Sequence, residues 1–136
     1  MYTMIRLHRS QEEIRVVSDQ IGCPTSTLTL AKACWRAIEK HNDIEPNLFT
    51  PQIHHWSDEG FASWYEFAKV IGELGHMQGL IERPAKVIPI SSKEYPTRAK
   101  RPKYSILDCT STRQFLNLEA IHWNESILNV MKLFHP

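Results

Sequence analysis

The sequence predicts a small α/β domain, and three observations support this fold class. Segments with the apolar spacing of amphipathic helices alternate with short β-rich runs along the whole chain. The 136 residues are enough for one domain with a modest core. Hydrophobic residues make up 42% of the chain and charged residues 23%, which is ordinary for a globular protein. Residues 1–136 are therefore expected to form a single domain.

The first part of the chain predicts a helix, a strand and a second helix. Met1–Arg9 has helical apolar spacing without a preceding N-cap, which indicates the end of a longer helix or a start within a longer ancestral sequence. Ile14–Ser18 is a β-rich run, and the loop Asp19–Thr25 follows it. A helix is expected from about Leu28 to Lys40. Its expected buried face consists of Leu30, Ala31, Cys34, Ala37 and Ile38, with Trp35 beside them.

The middle of the chain predicts a loop, a strand and a capped helix. Asn42–Pro51 is expected to be a loop, and Gln52–Ser57 a strand that ends in the turn Asp58–Gly60. Ser63 and Glu66 have the spacing of a capping box, so a helix should begin near Trp64. Gly75 is expected to end that helix as its C′ residue. The expected buried face is Trp64, Phe67, Ala68, Ile71 and Leu74.

The last part of the chain predicts two short strands and two helices. Val87–Ser91 and Tyr104–Leu107 are the expected strands. Thr110 is expected to cap a short helix that runs through Phe115, and Asn124 to cap the final helix. The expected inner face of that final helix is Ile127, Val130, Met131 and Phe134.

A basic loop, Glu94–Asp108, is the most distinctive stretch of the sequence. Pro96 and Pro102 restrict its backbone and exclude a helix. A stiffened loop with several cations suits an anionic group such as a phosphate or diphosphate. A solvated surface loop without a ligand is the alternative. The cations are Arg98, Lys100, Arg101 and Lys103.

Composition excludes several classes of protein. The net charge of +1 gives no nucleic-acid footprint, so no nucleic-acid partner is expected. No apolar run approaches the roughly 18 residues that a membrane span needs, and no signal peptide is recognisable at the start. The three cysteines are widely spaced without a C-x-x-C pair. Reduced thiols and a cytoplasmic location are therefore expected.

Motifs for cofactors, metals and catalysis are not found in this sequence. It has five glycines and no G-x-G-x-x-G, Walker or G-x-S-x-G pattern, so no dinucleotide site is expected. His54 and His55 would point to opposite faces of a strand and could not chelate one metal, so no metal site is expected. Tyr65 and Lys69 spell Y-x-x-x-K, but the segment before them has no cofactor fold, so we interpret this match as coincidence.

Three segments in order resemble the C-terminal half of the dTDP-4-dehydrorhamnose reductase family. They are Ile14–Thr25, His54–Ile71 and Glu94–Asp108, and Trp123–Leu133 is similar to the final helix of that family. The family belongs to the extended short-chain dehydrogenase/reductase group. Its members use NADPH to reduce dTDP-4-dehydro-L-rhamnose to dTDP-L-rhamnose for bacterial polysaccharide biosynthesis.

The resemblance implies a substrate-binding lobe without the N-terminal Rossmann domain. In the family the cofactor fold and the catalytic Tyr-x-x-x-Lys lie in the N-terminal half. No catalytic or cofactor-binding residue is therefore expected here, and Tyr65 and Lys69 do not match the catalytic pair. Leu28 and Thr29 stand where the family commonly has an acidic residue, which in some members holds a dimer-bridging magnesium, so the resemblance adds no metal site.

The resemblance also implies a set of substrate-binding residues. In related nucleotide-sugar enzymes an Arg-Pro before the late strand reaches the diphosphate, and Arg101 matches that arginine. Its planar guanidinium suits bidentate phosphate contact. Gln20 and Thr25 are expected in the same cleft, with turn formation and helix capping as their alternative roles. The other two expected contacts are Arg98 and Lys100.

Two functions follow from this reading of the sequence. The first is the substrate-binding portion of a dTDP-4-dehydrorhamnose reductase, which is expected to be catalytically incomplete alone. Its partners would be a dTDP-sugar and a separate Rossmann-domain chain. The alternative is a non-enzymatic binding, regulatory or self-association module derived from the same family.

Overall fold

The computed structural model describes residues 1–42 and 53–134, which form five α-helices and four short strands. The helices are α1 (Tyr2–Ser10), α2 (Thr27–Asn42), α3 (Trp64–Met77), α4 (Thr110–Leu116) and α5 (Trp123–Met131). The strands are β1 (Glu13–Val17), β2 (Ile21–Gly22), β3 (Ala62–Ser63) and β4 (Lys86–Ile90). Two 3₁₀ turns, Ser92–Glu94 and Lys132–Phe134, complete the described elements. Residues 43–51 of the predicted loop and residue 52 of the predicted strand lie outside the described residues, whereas Asn42, predicted to begin that loop, is the last residue of α2.

The strands form two separate two-stranded sheets. β1 and β4 are parallel, with Ile14 opposite Val87 and Val17 opposite Ile90. A parallel pair needs a long crossover between its strands, and the intervening helices supply it here. β2 and β3 are antiparallel, with Ile21 opposite Ser63. The predicted strands Ile14–Ser18 and Val87–Ser91 are thus confirmed within one residue, whereas β2 lies in a segment predicted to be only loop.

Helix α3 forms the centre of the core. Its residues Ala68 and Ile71 are fully buried. Ile71 packs with Ile5 from α1 and Met131 from α5, while Ala68 belongs to the cluster beneath β1. Because one helix contacts α1, α5 and both strands of the parallel sheet, its position fixes those elements relative to one another.

The predicted capping box at the start of α3 is confirmed. The Ser63 hydroxyl oxygen accepts the Glu66 backbone N–H at 3.1 Å, and a Glu66 carboxylate oxygen accepts the Ser63 backbone N–H at 2.7 Å. The Ser63 hydroxyl also donates to that carboxylate at 2.9 Å. These bonds satisfy N–H groups that have no partner within the helix.

The predicted end of α3 is wrong. The helix continues past Gly75 to Met77, and Gly75 is buried within it. A Cβ on Gly75 would lie 2.6 Å from the Ile81 side chain, so the glycine permits close packing. Gly79, with φ of +69°, adopts the left-handed conformation that follows the helix. The glycine that follows the end of α3 is therefore Gly79, and not Gly75 as predicted.

The predicted buried face of α2 is also wrong. Ala33 is the buried residue of this helix, and it was not in the predicted set. Cys34 is exposed, and Trp35 is 68% exposed. Of the predicted face, Ala37 is half-buried and the other four residues are exposed. The reason is that the side of the helix with Ala33 and Arg36 contacts α4.

Two predicted strands are not strands in the structure. Residues 53–58 pair with no strand among the described residues, and their polar groups bond to α4 instead. The His55 N–H donates to the Thr112 hydroxyl at 3.1 Å, and Arg113 donates to the Ser57 carbonyl at 3.4 Å. The strand predicted at Tyr104–Leu107 is reduced to one bridge between Tyr104 and Ile21.

Both predicted caps of the last two helices are displaced. The N-cap of α4 is Cys109, and the Asp108 carboxylate accepts the Thr110 N–H at 2.9 Å. The N-cap of α5 is His122, whose ring accepts the Asn124 N–H at 3.4 Å. The expected inner face of α5 is confirmed, because Ile127 and Met131 are buried, with Val130 and Phe134 half-buried beside them.

The capping box gives the first testable prediction. Ser63→Ala removes the hydroxyl that caps α3 and should lower the free energy of unfolding by about 1 kcal/mol, measured by urea denaturation. Ser91→Ala is the matched control, because the Ser91 hydroxyl donates to the Glu94 carboxylate in the same way, but on a 3₁₀ turn of only three residues. An equal loss in both variants would contradict a special role for the α3 cap.

The pH dependence of that loss has a defined sign. Hydrogen bonds from the Ser63 backbone and hydroxyl lower the pKa of Glu66 below its ordinary 4.5. A lowered pKa in the folded state stabilises the protein above the ordinary pKa, and this contribution disappears as the pH falls through the folded value. The stability difference between wild type and Ser63→Ala should therefore be largest near neutral pH and shrink below about pH 4.5.

Candidate functional site

A cleft of about 500 Å³ lies where the loop after β1, the start of α3 and the basic loop meet. It brings together segments that are far apart in sequence. Its lining residues are Gln20, Ile21, Gly22, Cys23, Pro24, Thr25, Trp56, Ser57, Ala62, Ser63, Trp64, Phe67, Arg101, Pro102, Ser105 and Leu107. Three of the five predicted site residues, Gln20, Thr25 and Arg101, are among them.

Backbone hydrogen bonds of Ile21 hold the cleft together. Its N–H donates to the Lys103 carbonyl at 2.8 Å, and its carbonyl accepts the Ser105 N–H at 2.9 Å. On its other side β2 pairs with β3, which leads into α3. Gly22 allows a close approach, since a Cβ there would lie 3.0 Å from the Ser105 hydroxyl oxygen. The short strand β2 therefore joins the basic loop to the first turn of α3.

Arg101 is the cation of the basic loop that lines the cleft. Among the described residues it makes no ion pair with a carboxylate, so its guanidinium is available to a ligand. Pro102 lies beside it in the cleft lining and restricts the backbone. Arg98 and Lys100 are exposed but do not line the cleft. The geometry thus separates Arg101 from the other two predicted contacts.

Gln20 and Thr25 line the cleft from the loop on either side of β2. The Thr25 hydroxyl donates to the Cys23 carbonyl at 3.0 Å, which is a turn contact. Ser26 provides the capping contact of α2, because its hydroxyl accepts the Leu28 N–H at 3.1 Å. The alternative role of Thr25 in the turn therefore has a contact to support it, and Thr25 also lines the cleft.

Aromatic side chains form one part of the cleft lining, the aromatic wall. Trp64 was predicted to be buried on α3, but it is 59% exposed and lines the cleft instead. It meets Phe67 edge to face, with ring centroids 6.4 Å apart. Trp56 also lines the cleft. Sequence reasoning missed Trp64 and Phe67 as site residues because apolar spacing on a helix predicts burial and does not distinguish a core from a cleft wall. It missed Trp56 because that residue was interpreted only as part of a strand.

The buried carboxylate of Asp58 holds in place the segment that contains Ser57 of the cleft lining. It is 1% exposed and accepts the Ser26 backbone N–H at 2.9 Å. It also accepts the hydroxyls of Thr29 and Ser126, each at 2.5 Å. Asp58 thereby attaches the start of α2 and the start of α5 to the segment in which Ser57 lines the cleft. This role was not predicted, because Asp58 was interpreted only as part of a turn.

A second carboxylate, Asp19, precedes Gln20 and is held by Ser92. It accepts the Ser92 N–H at 2.8 Å and the Ser92 hydroxyl at 2.9 Å. Partial burial acts to raise the pKa of Asp19, but these hydrogen bonds outweigh it, and the pKa is lower than its ordinary value. Asp19 therefore stays ionised at neutral pH and orders the loop that enters the cleft.

Tyr65 and Lys69 lie at a different place. They border a smaller pocket of about 200 Å³, which His8 also lines. The Lys69 ammonium lies 3.8 Å from the Glu73 carboxylate. Neither residue lines the larger cleft. In the described part of the chain, no group of three or more His, Cys, Asp or Glu side chains could hold a metal ion, and no helix is long and apolar enough to cross a membrane.

Comparison with known proteins identifies the family. The family model described as RmlD substrate binding domain matches residues 1–135. This chain belongs to that family. A dTDP-4-dehydrorhamnose reductase of Aggregatibacter actinomycetemcomitans is 34% identical to it over 128 residues, covering 94% of this chain and 43% of that protein. The Bacillus subtilis spore coat polysaccharide biosynthesis protein SpsK is 33% identical, covering 92% of this chain and 38% of that protein.

Solved structures show the same relationship for this RmlD substrate-binding domain. A dTDP-4-dehydrorhamnose reductase of Clostridium acetobutylicum is similar with a TM-score of 0.81 and 33% identity, covering 99% of this chain and 43% of that one. A Bacillus anthracis reductase in complex with NADP has a TM-score of 0.77 and 34% identity. The chain spans less than half the length of these relatives, and the predicted fold class, a small α/β substrate-binding lobe, is confirmed.

The Asp58 contacts give a prediction for the RmlD substrate-binding domain. Asp58→Asn replaces an acceptor of three hydrogen bonds with an amide that presents N–H groups to donors. The free energy of unfolding should fall by about 2–4 kcal/mol, measured by urea denaturation. Asp108→Asn is the control, because that exposed carboxylate accepts one backbone N–H. A loss under about 1 kcal/mol for Asp58→Asn would refute its structural role.

Proposed function

We propose that this chain is the substrate-binding portion of a dTDP-4-dehydrorhamnose reductase and that its cleft holds the dTDP-sugar. The observation that supports the proposal most directly is the position of Arg101 in one cleft with Gln20 and Thr25. The names of the relatives described above support this substrate class. The two other predicted contacts, Arg98 and Lys100, would act through charge at the rim of the cleft.

The diphosphate would bind at Arg101. A guanidinium makes two parallel hydrogen bonds to phosphate oxygens, and charge-assisted bonds of this kind are stronger than neutral ones. The positive end of α3 also faces the cleft, but the Glu66 carboxylate at Ser63 offsets part of that field. Arg101 would therefore supply most of the attraction for the diphosphate.

The aromatic wall would hold the uncharged parts of the ligand. Trp56, Trp64 and Phe67 line the cleft alongside Arg101. Flat rings of this kind stack on a nucleobase or cover the apolar face of a sugar. A charged wall and an aromatic wall in one cleft fit a nucleoside diphosphate sugar better than a simple phosphate.

The reduction itself would need a second part. In the reaction, NADPH transfers a hydride to the C4 carbonyl carbon of the sugar, and a proton adds to the oxygen, which becomes a hydroxyl. The chain has no dinucleotide-binding glycine pattern, and Tyr65 and Lys69 lie outside the cleft. We therefore propose that this chain alone binds the sugar nucleotide and does not reduce it.

A second candidate function is a non-enzymatic association module. The exposed apolar face of α2 favours it, because such a face suits a protein contact. Sedimentation velocity separates the two candidates: a stable oligomer that does not bind a dTDP-sugar would favour the association module, whereas a monomer that binds one would favour the substrate lobe.

Isothermal titration calorimetry with dTDP-L-rhamnose tests the proposed site. Arg101→Ala should weaken binding by about tenfold or more, because a hydrogen bond to a charged group contributes about 1.5–3 kcal/mol. Arg83→Ala is the matched control, since Arg83 is an exposed arginine outside both the cleft lining and the basic loop. A folded chain that binds no dTDP-sugar, or equal losses in both variants, would contradict the proposed site.

A further inference from the structure

We propose that Asp19 is a positioning residue that holds Arg101 in the cleft. Its carboxylate acts through the basic loop, Glu94–Asp108, and does not touch the ligand. This role rests on the proposed function, in which Arg101 binds the diphosphate. The attachment of the loop to Asp19 can be tested without any ligand.

Arg101 lies in a part of the basic loop that makes few hydrogen bonds of its own. Between residues 96 and 102, the described contacts include one such bond, from the Thr97 hydroxyl to the Ala99 carbonyl at 2.8 Å, and it lies within the loop. The two prolines of this stretch limit its backbone but have no N–H that could attach it. The position of Arg101 in the cleft therefore depends on how the two ends of the stretch are held.

The start of the basic loop is attached to Asp19 through Ser92. One carboxylate oxygen of Asp19 accepts the Ser92 N–H at 2.8 Å, and the other accepts the Ser92 hydroxyl at 2.9 Å. Ser92 begins the 3₁₀ turn from which the loop continues. Bonds to an ionised carboxylate are stronger than bonds between neutral groups. The ion pair between Arg15 and Glu94 lies at the same end, but it is largely exposed and contributes less.

The far end of the stretch is attached to the residues around Asp19. The Ile21 N–H donates to the Lys103 carbonyl at 2.8 Å. The positive charge of Lys103 also favours the ionised form of Asp19. Both ends of the stretch that carries Arg101 are therefore held by residues 19–21, and the middle residue of these, Gln20, lines the cleft.

Asp19 itself is not among the residues that line the cleft. A free carboxylate there would repel a diphosphate, whereas the Asp19 oxygens are occupied by Ser92. Asp19 therefore raises the affinity by placing Arg101. It follows that the loss of Asp19 should weaken binding only while Arg101 is present.

Amide hydrogen exchange of Asp19→Asn, measured by NMR, tests the attachment. The substitution keeps the size of the side chain but presents an amide NH₂ group to a Ser92 donor in place of one oxygen. The Ser105 N–H follows Lys103 in the loop and donates to the Ile21 carbonyl at 2.9 Å. Its exchange should become about tenfold faster, because the loop opens locally more often.

A second amide separates local release of the loop from general destabilisation. The Leu80 N–H donates to the Gly75 carbonyl at 2.8 Å near the end of α3, away from the cleft, and its exchange should stay the same. Ser92→Ala should also speed the exchange of Ser105, whereas Ser92→Thr, which keeps the hydroxyl, should not. In Asp19→Asn, unchanged exchange of Ser105 or equal acceleration at Leu80 would overturn the proposal.

Isothermal titration calorimetry with dTDP-L-rhamnose then tests whether the attachment serves Arg101. Asp19→Asn should weaken binding by about threefold or more, but by less than about 1.5-fold in the Arg101→Ala background, because coupled residues have non-additive effects. Equal losses in the two backgrounds would overturn the positioning role. A wild-type chain that binds no dTDP-sugar would instead contradict the proposed function, while the exchange of Ser105 would still support or overturn the attachment.

Discussion

The buried carboxylate of Asp58 is the constraint on which the site depends. It joins the start of α2, the segment after residue 53 and α5 through three hydrogen bonds. A buried charge is costly unless it is fully bonded, so all three elements must arrive together. Gly60, with φ of +84°, completes the turn that follows, where a Cβ would collide with His122. The position of Ser57 in the cleft lining and the orientation of α2 both follow from this arrangement.

The molecule divides its apolar residues between two uses. The residues that surround α3 form a closed core, in which Ile71 and Met131 have no exposed surface. The α2 residues Leu28, Trp35 and Ile38 remain exposed, and the aromatic residues near the start of α3 line the cleft. Hydrophobic content alone therefore overstates the size of the core of this chain. Part of its apolar surface suits a ligand or another protein part.

Local sequence signals predicted local structure well. The Ser63–Glu66 box located the start of α3 because capping depends on residues four positions apart or fewer. Both strands of the parallel sheet were found from their β-rich composition. The end of α3 was missed because Gly75 and Gly79 could each be the glycine that follows the helix. Only the packing of Gly75 against Ile81 shows that Gly75 lies within the helix. The strand expected before Asp58 failed because strands need a partner, and the described chain supplies α4 side chains instead.

The sequence by itself determined the helices and strands that depend on near neighbours, the family resemblance and the cationic loop that contains Arg101. It also brought Gln20 and Thr25 into consideration as site residues. The tertiary structure alone decided that these three share a cleft, that Arg98 and Lys100 lie outside its lining, and that Trp56 and Trp64 form a wall. It also decided which apolar faces are covered. The reason is physical: periodicity specifies the side of a helix on which a residue lies, whereas burial and proximity depend on what the rest of the chain packs against that side.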